Sequence, residues 1–384
     1  MANVTAGRWS SHSDSPSGLE IPSLPTECVD LRLQAASAAA SPRITISTST
    51  DNEDDAAEEL AQWLWMNGVE RPFLLASARG QGLLRGIGGV VGTPVRRPQA
   101  VTLSWARSWR RVARSADAVV AIGGGRCLDV AKVIAAGAGR PFVAVPTQLS
   151  HDGVCSPVSV LPRVAGGVAE SLEAVAPHLA FFSRPTLIKS PIASLRAGIG
   201  DLISNPLALR DWKLAAEAGL ETINRVAWHL SADSFGPIEH LLDEPFGPQL
   251  VNPWLIDLLA RALTTSGVAM TTAGTSRPAS GAEHKISHAI DELFGPRAHH
   301  GAQVAFGSLI SASLHGLDVD ALRQSLVNVG LPHHPHQLGL SDDDMVRILL
   351  RAPSTRPGRF TILEQAALDG PEAAALVRSL WLDL

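Results

Sequence analysis

From about residue 43, short runs of apolar and β-branched residues alternate with longer segments whose apolar residues recur at helical spacing. The short runs "RITIST", "RPFLLAS", "AVVAIGGG" and "PFVAVPT" are typical of buried strands. The longer segments "DNEDDAAEELAQWLWMNG", "SWARSWRRVARSAD" and "CLDVAKVIAAGAG" are typical of helices. Strands that alternate with helices in this way predict an α/β domain with a parallel sheet.

After about residue 190 the pattern changes to helices alone. Five segments, among them "LISNPLALRDWKLAAEAG" and "GAEHKISHAIDELF", carry apolar residues at helical spacing. We therefore predict an α/β domain over residues 42–189 and an all-helical domain over residues 190–384. Residues 1–41 are rich in Ser, Ala and Pro and lack periodicity, which predicts a disordered or loosely docked tail.

Composition narrows the class of protein. A chain of 384 residues is long enough for two domains, and its net charge of -5 argues against a nucleic-acid partner. No apolar run is long enough to span a bilayer. The three cysteines, Cys28, Cys127 and Cys155, are an odd number, and the N-terminus lacks the pattern of a secretory signal. We expect a cytoplasmic protein. The chain has no Tyr, so a phenol cannot be its catalytic acid.

A glycine loop joins the third predicted strand to a helix in "DAVVAIGGGRCLDVAK". Gly123, Gly124 and Gly125 allow close approach of a ligand to the backbone, and the following helix start offers free N–H groups to a phosphate. The alternative is a tight turn without a ligand. A second stretch, "RGIGGVVG" at residues 85–92, approaches the dinucleotide-binding spacing, but Val91 stands where its last glycine belongs, and we interpret it as a plain loop.

Polar residues follow the next strand in "VPTQLSHDGVCSP". In an open parallel sheet the carboxyl ends of the strands collect ligands, so Thr147, Ser150, Asp152 and Ser156 are expected beside the glycine loop. The alternative is that these residues only form turns.

Histidines cluster in "SGAEHKISHAIDELFGPRAHHGAQ". His284 and His288 are four residues apart and would share one face of a helix, with His299 and His300 following. This stretch by itself is compatible with a metal site and equally with a surface helix. The histidines of "GLPHHPHQLGLS" lie in a Pro-rich segment that predicts a loop.

Five motifs occur in one order along the chain: "IGGGRCLDVAK", "VPTQLSHDGVCSP", "GIGDLISN", "TSRPASGAEHKISHAID" and "HGAQVAFG". Together they resemble sn-glycerol-1-phosphate dehydrogenase, within the superfamily of glycerol dehydrogenase, iron-type alcohol dehydrogenase and dehydroquinate synthase. The resemblance covers about residues 43–365. It implies a dinucleotide-binding α/β domain, a helical metal- and substrate-binding domain, and a homo-oligomer.

The resemblance also implies a site and its cofactors. One divalent metal, usually zinc, would be held by Asp201, His284 and His300, a ligand set that leaves a coordination position open. NAD or NADP would bind at Gly123 to Gly125 and at Arg126, Cys127, Leu128, Asp129, Thr147, Ser150 and Ser156. Asp201, Asp152 and His288 would be the catalytic residues, with Asp152 contacting substrate and His288 serving its proton. A zinc-protease site is excluded because Lys285, and not Glu, follows His284.

The implied reaction is hydride transfer between NAD(P)H and the carbonyl of dihydroxyacetone phosphate, a small phosphorylated substrate. Two alternatives remain: a related reductase of polyols or of phosphorylated or phosphonate carbonyls, and a weakened, non-catalytic paralogue. A cyclising lyase is disfavoured because "HDGVCSP" replaces the "DSSVGGK"-like stretch of those enzymes. The family usually has Glu where this chain has Ala302, and we expect that difference to affect metal affinity or turnover.

Overall fold

The sheet of the N-terminal half is parallel and five-stranded. A computed structural model describes residues 17–24, 42–84, 95–167 and 169–381. Its strands are β1 (Arg43–Ile46), β2 (Phe73–Ala76), β3 (Val119–Gly123), β4 (Phe142–Pro146) and β7 (Leu179–Phe182). Their order is β1-β7-β4-β3-β2, and every pairing is parallel. Gly123 pairs with Pro146, so β3 and β4 end level with each other and their following loops are adjacent. The predicted parallel sheet is confirmed.

Helices cover both faces of this sheet. They are α1 (Glu53–Met66), α2 (Leu103–Ala113) and α3 (Gly125–Ala138), with a short 3-10 turn at Ala78–Gly80. Successive residues of β3 point to opposite sides of the sheet. Val120 packs in the apolar cluster that includes residues of α1, and Val119 packs in the cluster that includes residues of α3. Buried strands of this kind are continuously apolar, which is why their sequences show runs and no alternation. The "RGIGGVVG" loop lies outside the described residues.

A two-stranded antiparallel hairpin follows β4 and was not predicted from the sequence. It consists of β5 (Val158–Pro162) and β6 (Ala169–Glu173). Buried polar groups of α3 hold it: Lys132 Nζ donates to Val158 O at 2.7 Å, and Val160 N donates to Asp129 Oδ2 at 3.3 Å. Lys132 Nζ also lies 3.5 Å from Asp129 Oδ1, so the buried cation has a carboxylate partner.

In the described part of the chain after Phe182, every named element is helical, as predicted. The helices are α4 (Arg184–Ile188), α5 (Ile192–Ile203), α6 (Asn205–Glu217), α7 (Arg225–Phe235), α8 (Pro253–Ala273), α9 (Ala282–Phe294), α10 (His300–Leu314), α11 (Val319–Val329), α12 (Asp342–Thr355), α13 (Ile362–Ala366) and α14 (Gly370–Trp381). Four 3-10 turns lie between these described helices, at Gly236–Leu242, Pro248–Leu250, Arg277–Ala279 and Pro335–Leu338, and another lies earlier, at Asp152–Val154. Over the described residues, no helix has the length and apolarity needed to cross a membrane.

The largest apolar cluster, here called the main cluster, joins the two halves. It contains Leu128 of α3 and Leu309 of α10, both fully or almost fully buried. It also contains Leu19 from the N-terminal tail, which is 2% exposed, and Arg210 donates to Glu20 O at 3.1 Å. This part of the predicted loose tail is therefore packed against the fold. Residues 1–16 and 25–41, on which the rest of that prediction falls, lie outside the described residues.

Candidate active site

Glycines let three helices of the C-terminal half approach closely. A Cβ on Gly200 of α5 would lie 2.7 Å from Gly301 O of α10, and a Cβ on Gly301 would overlap the Ala197 carbonyl oxygen. Likewise, a Cβ on Gly307 of α10 would lie 2.7 Å from Glu283 O of α9. Real Cβ atoms do not come this near to backbone oxygen, so only glycine permits the packing. The consequence is that residues next to these glycines meet between α5, α9 and α10.

Asp201, His284 and His300 meet at this junction. Asp201 follows Gly200, His284 follows Glu283, and His300 precedes Gly301. One potential ligand atom from each lies within 4.8 Å of the others, and the two imidazole rings are 5.1 Å apart between centroids. Asp201 and His284 are buried, and His300 is partly exposed. These are the three residues that were predicted as metal ligands.

The Asp201 carboxylate has the properties of a ligand. Its Oδ2 accepts a hydrogen bond from Asp152 N at 2.8 Å, whereas its Oδ1 is buried without a hydrogen-bond partner. Burial, and next the neighbouring Asp152 carboxylate, raise the pKa of Asp201 well above its usual value. A buried, unsatisfied carboxylate oxygen beside two imidazoles is costly by itself. A divalent cation would satisfy it, so these residues fit a metal.

Glu283 orients the first imidazole. Its Oε1 lies 3.0 Å from His284 Nδ1 and can accept a hydrogen bond from a proton on that nitrogen. The lone pair of Nε2 is then free, which is the arrangement found around metal-bound histidines. Burial lowers the pKa of His284 to about 3 and that of His300 well below its usual value. Both rings are therefore neutral near pH 7, which is the form that binds metals.

His288 lies beside the cluster but outside the set of three. It is partly exposed, and its ring centroid is 6.3 Å from that of His300. Burial, and next the charge of Arg356, lower the pKa of His288 to about 3. His299, the neighbour of His300, is exposed.

The loop after β4 connects this cluster with the glycine loop. The His151 ring is 5.8 Å from that of His300, and its Nε2 would lie 2.5 Å from a Cβ on Gly125. Burial, and next the charge of Lys132, lower the pKa of His151 to about 4. Sequence reasoning missed His151. The available signal was its position between Ser150 and Asp152, both of which were singled out.

Asp152 contacts the same junction through two groups. Its backbone N–H holds Asp201, and its Oδ2 accepts a hydrogen bond from Ser266 Oγ of α8 at 2.8 Å. Burial raises the pKa of Asp152 to about 6. The structure therefore brings Asp152 beside the three predicted ligands.

The glycine loop has the geometry of a helix N-terminus open to a ligand. β3 ends at Gly123, α3 begins at Gly125, and the N-cap Gly124 has no side chain to cap the helix. Gln148 lies over it, with Nε2 at 2.9 Å from the place of a Cβ on Gly124. Arg126 is exposed beside the turn. Uncapped N–H groups and the helix dipole suit a pyrophosphate.

The other predicted cofactor residues are mostly buried. Cys127 and Leu128 belong to the main cluster, and the Asp129 carboxylate faces Lys132 and the hairpin. Thr147, Ser150 and Ser156 are each less than a tenth exposed. Burial raises the pKa of the Cys127 thiol to about 12, so it is not a thiolate. The side chains of Cys127, Leu128 and Asp129 therefore have structural partners within the fold.

The fold and the cluster define the class. The family described as iron-containing alcohol dehydrogenase matches residues 85–189. In solved structures the fold is similar to glycerol dehydrogenase from Schizosaccharomyces pombe, with a TM-score of 0.71, 17% identity and 89% coverage of each chain. It is also similar to a probable glycerol dehydrogenase from Sinorhizobium meliloti 1021, with a TM-score of 0.68 and 22% identity, over 89% of this chain and 96% of that one. These likenesses establish that the chain shares the fold of these solved structures.

Curated relatives narrow the class to one family. The chain is 38% identical over 273 residues to glycerol-1-phosphate dehydrogenase [NAD(P)+] from Methanoregula boonei, and this alignment covers 71% of this chain and 74% of the relative. It is also 38% identical over 261 residues to the same enzyme from Thermococcus kodakarensis, covering 67% and 73%. The chain belongs to the glycerol-1-phosphate dehydrogenase family, and it is a dehydrogenase of that type.

Proposed function

We propose that this protein interconverts dihydroxyacetone phosphate and sn-glycerol 1-phosphate, with NAD or NADP as hydride carrier and one divalent metal. The observation that supports this most directly is the cluster of Asp201, His284 and His300, connected through His151 to an open glycine loop. The relatives carry NAD(P)+ in their names, and the proposal extends that cofactor to this chain.

Each part of the site has a task in this proposal. When bound, the metal supplies Lewis-acid chemistry for a carbonyl oxygen, and the donor set of one carboxylate and two imidazoles is that of a catalytic zinc site. Asp201, His284 and His300 hold it. Asp152 N fixes the Asp201 carboxylate, and Glu283 fixes the tautomer of His284. The uncapped start of α3 binds the dinucleotide phosphates.

His288 is proposed to exchange a proton with the substrate oxygen. It is the partly exposed histidine on the same face of α9 as His284, and burial keeps its ring neutral. A neutral imidazole has one N–H to donate and one lone pair to accept, so it can pass a proton between substrate and water in either direction of the reaction. The Asp152 carboxylate is proposed to contact the substrate.

The test is loss of reduced nicotinamide absorbance with dihydroxyacetone phosphate, using NADH or NADPH, with and without added zinc. Chiral analysis of the product distinguishes sn-glycerol 1-phosphate from its enantiomer. His284→Ala and His300→Ala are expected to lose both metal and turnover. His336→Ala removes an exposed histidine of the Pro-rich loop and is expected to lose neither. Full metal content in both site variants would contradict the ligand assignment, and a wild-type enzyme inactive on this substrate would contradict the reaction.

A further inference from the structure

Two guanidinium groups lie against the turn that leads into α9. Arg356 Nη1 donates to Ser280 Oγ at 3.0 Å and to Ser276 Oγ at 3.3 Å. Arg359 donates through Nη1 to Ser280 O at 2.6 Å and through Nη2 to Ser276 Oγ at 2.9 Å. The two arginines therefore share Ser276 and the Ser280 residue as hydrogen-bond partners. We call these four residues the arginine–serine cluster.

The two arginines of this cluster have no direct carboxylate partner in the described part of the chain, although the Glu221 and Glu283 carboxylates act on Arg359 from a distance. Among the described residues, neither Arg356 nor Arg359 forms an ion pair with a carboxylate, whereas the nearby Arg277 pairs with Glu221 at 2.9 Å. Both guanidiniums are only partly exposed. Burial, and next Arg356, lower the pKa of Arg359 to about 9. Two like charges held partly out of water are unfavourable unless an anion joins them.

The segment that carries these arginines is fixed in place from several sides. Lys285 Nζ donates to Arg359 O at 2.9 Å, and Ile362 N donates to Asp211 Oδ1 at 2.7 Å. Arg277 also donates to Phe360 O at 2.5 Å. A backbone held in this way keeps the guanidiniums oriented before a ligand arrives, which reduces the entropic cost of binding.

The cluster adjoins the metal-ligand histidine. Ser280 lies four residues before His284, in the extended turn that precedes α9. Arg356 and Arg359 are also the charges that act on the His284 and His288 rings. An anion bound by the cluster would thus lie within the reach of a small molecule from Asp201, His284 and His300.

We propose that Arg356 and Arg359, with the hydroxyl groups of Ser276 and Ser280, bind the phosphoryl group of the substrate. Guanidinium groups present paired N–H donors that match phosphate oxygens, and hydroxyls supply further donors. The substrate class is therefore a short phosphorylated ketone, with its charged end at the cluster and its carbonyl end at the three metal ligands. This inference rests on the proposed function, and it assigns the selectivity for phosphate to residues from two separate segments.

The test compares substrates with and without phosphate. For the wild type, Arg356→Gln, Arg359→Gln and Arg359→Lys, kcat/KM is measured with dihydroxyacetone phosphate and with dihydroxyacetone. The ratio of the two values is expected to fall about 10- to 100-fold in each Gln variant, because a charge-assisted hydrogen bond is lost. Arg359→Lys keeps the positive charge but lacks the paired N–H donors, so the ratio should fall by less in this variant. Arg351→Gln, which removes an exposed arginine of α12, should leave the ratio unchanged.

A second measurement separates this inference from the proposed reaction. Inorganic phosphate is titrated calorimetrically into the metal-loaded protein, and unfolding and metal content are checked for each variant. Phosphate binding that weakens about 10-fold or more in Arg359→Gln supports the cluster even if dihydroxyacetone phosphate is not reduced, in which case only the proposed reaction fails. An unchanged substrate ratio together with unchanged phosphate binding, in folded and metal-loaded variants, overturns the inference while the reaction can stand.

Discussion

The substitution Gly200→Ala tests whether the glycine contact between α5 and α10 sets the geometry of the proposed metal ligands. The added Cβ would lie 2.7 Å from Gly301 O and 3.1 Å from both Ala305 Cβ and Leu331 Cδ1. Ordinary contact begins at 3.4 Å, so the two helices must separate by the difference, about 0.7 Å. Gly200 precedes Asp201, and Gly301 follows His300, so the separation falls between two of the three proposed ligands.

Two opposing effects decide the free energy of unfolding. Replacing Gly by Ala inside a helix favours folding by about 1 kcal/mol. Overpacking against backbone costs about 1–3 kcal/mol. We expect a net loss of up to about 2 kcal/mol. The effect on the metal should be clearer, because ligand distances tolerate only about 0.2 Å, far less than the required movement.

The assay is competition for zinc with a chromophoric chelator, with unfolding by urea of the metal-free protein in parallel. We expect zinc affinity to fall by about 10- to 100-fold, the range seen when the support of a ligand is disturbed. Gly370→Ala is the matched control, because a Cβ there meets nothing within 4 Å. A Gly200→Ala protein that binds zinc as tightly as the wild type would refute the claim that close helix packing sets the ligand distances.

Three further outcomes are expected. Gly125→Val places a side chain on His151 Nε2, so calorimetry should show weaker dinucleotide binding with metal content retained; equal affinity would argue against the glycine loop as the cofactor site. Leu19→Ala should lower the free energy of unfolding by about 2–3 kcal/mol, because the side chain is 2% exposed in the main cluster; a change near zero in urea unfolding would show that the tail contributes nothing to stability. Ala302→Glu puts a carboxylate at a 7% exposed position of the main cluster, so we expect the free energy of unfolding to fall by about 1–3 kcal/mol without tighter zinc binding. A gain in zinc affinity would instead indicate that a carboxylate at position 302 supports one of the proposed ligands.

Much of the fold could be predicted because four of the five described strands of the parallel sheet, all except β1, are buried along their length. Runs such as "AVVAIG" are continuously apolar, and their alternation with helical segments is sufficient to predict a parallel sheet. The hairpin was missed for the opposite reason. β6 alternates exposed and partly exposed residues and contains Glu170 and Glu173, so local composition does not favour a strand. What stabilises it is the contact of β5 with Lys132 and Asp129 of α3, which no local pattern reveals.

The site divides in a similar way. His284 and His288 have a helical spacing that can be read directly, but the residues around them come together only in the fold. Arg356 and Arg359 lie more than seventy residues from Ser276 and Ser280, and nothing in "RPGRF" indicates that they form no ion pair with any described carboxylate. Asp129 differs from these arginines. Its position after the glycines predicts a cofactor contact, but in the fold its carboxylate contacts Lys132 and the hairpin.

One loop donates a hydrogen bond to Asp201 through Asp152 N, and its His151 lies against Gly125 of the glycine loop. Two ligands that bind on either side of such a shared element are energetically coupled, since each orders the element that the other requires. Coupling of this kind is reciprocal: the factor by which bound metal tightens the dinucleotide must equal the factor by which bound dinucleotide tightens the metal. If the proposed metal binds, its affinity would then depend on the concentration of nicotinamide dinucleotide, and equilibrium dialysis without dinucleotide is expected to leave less metal bound than dialysis with it.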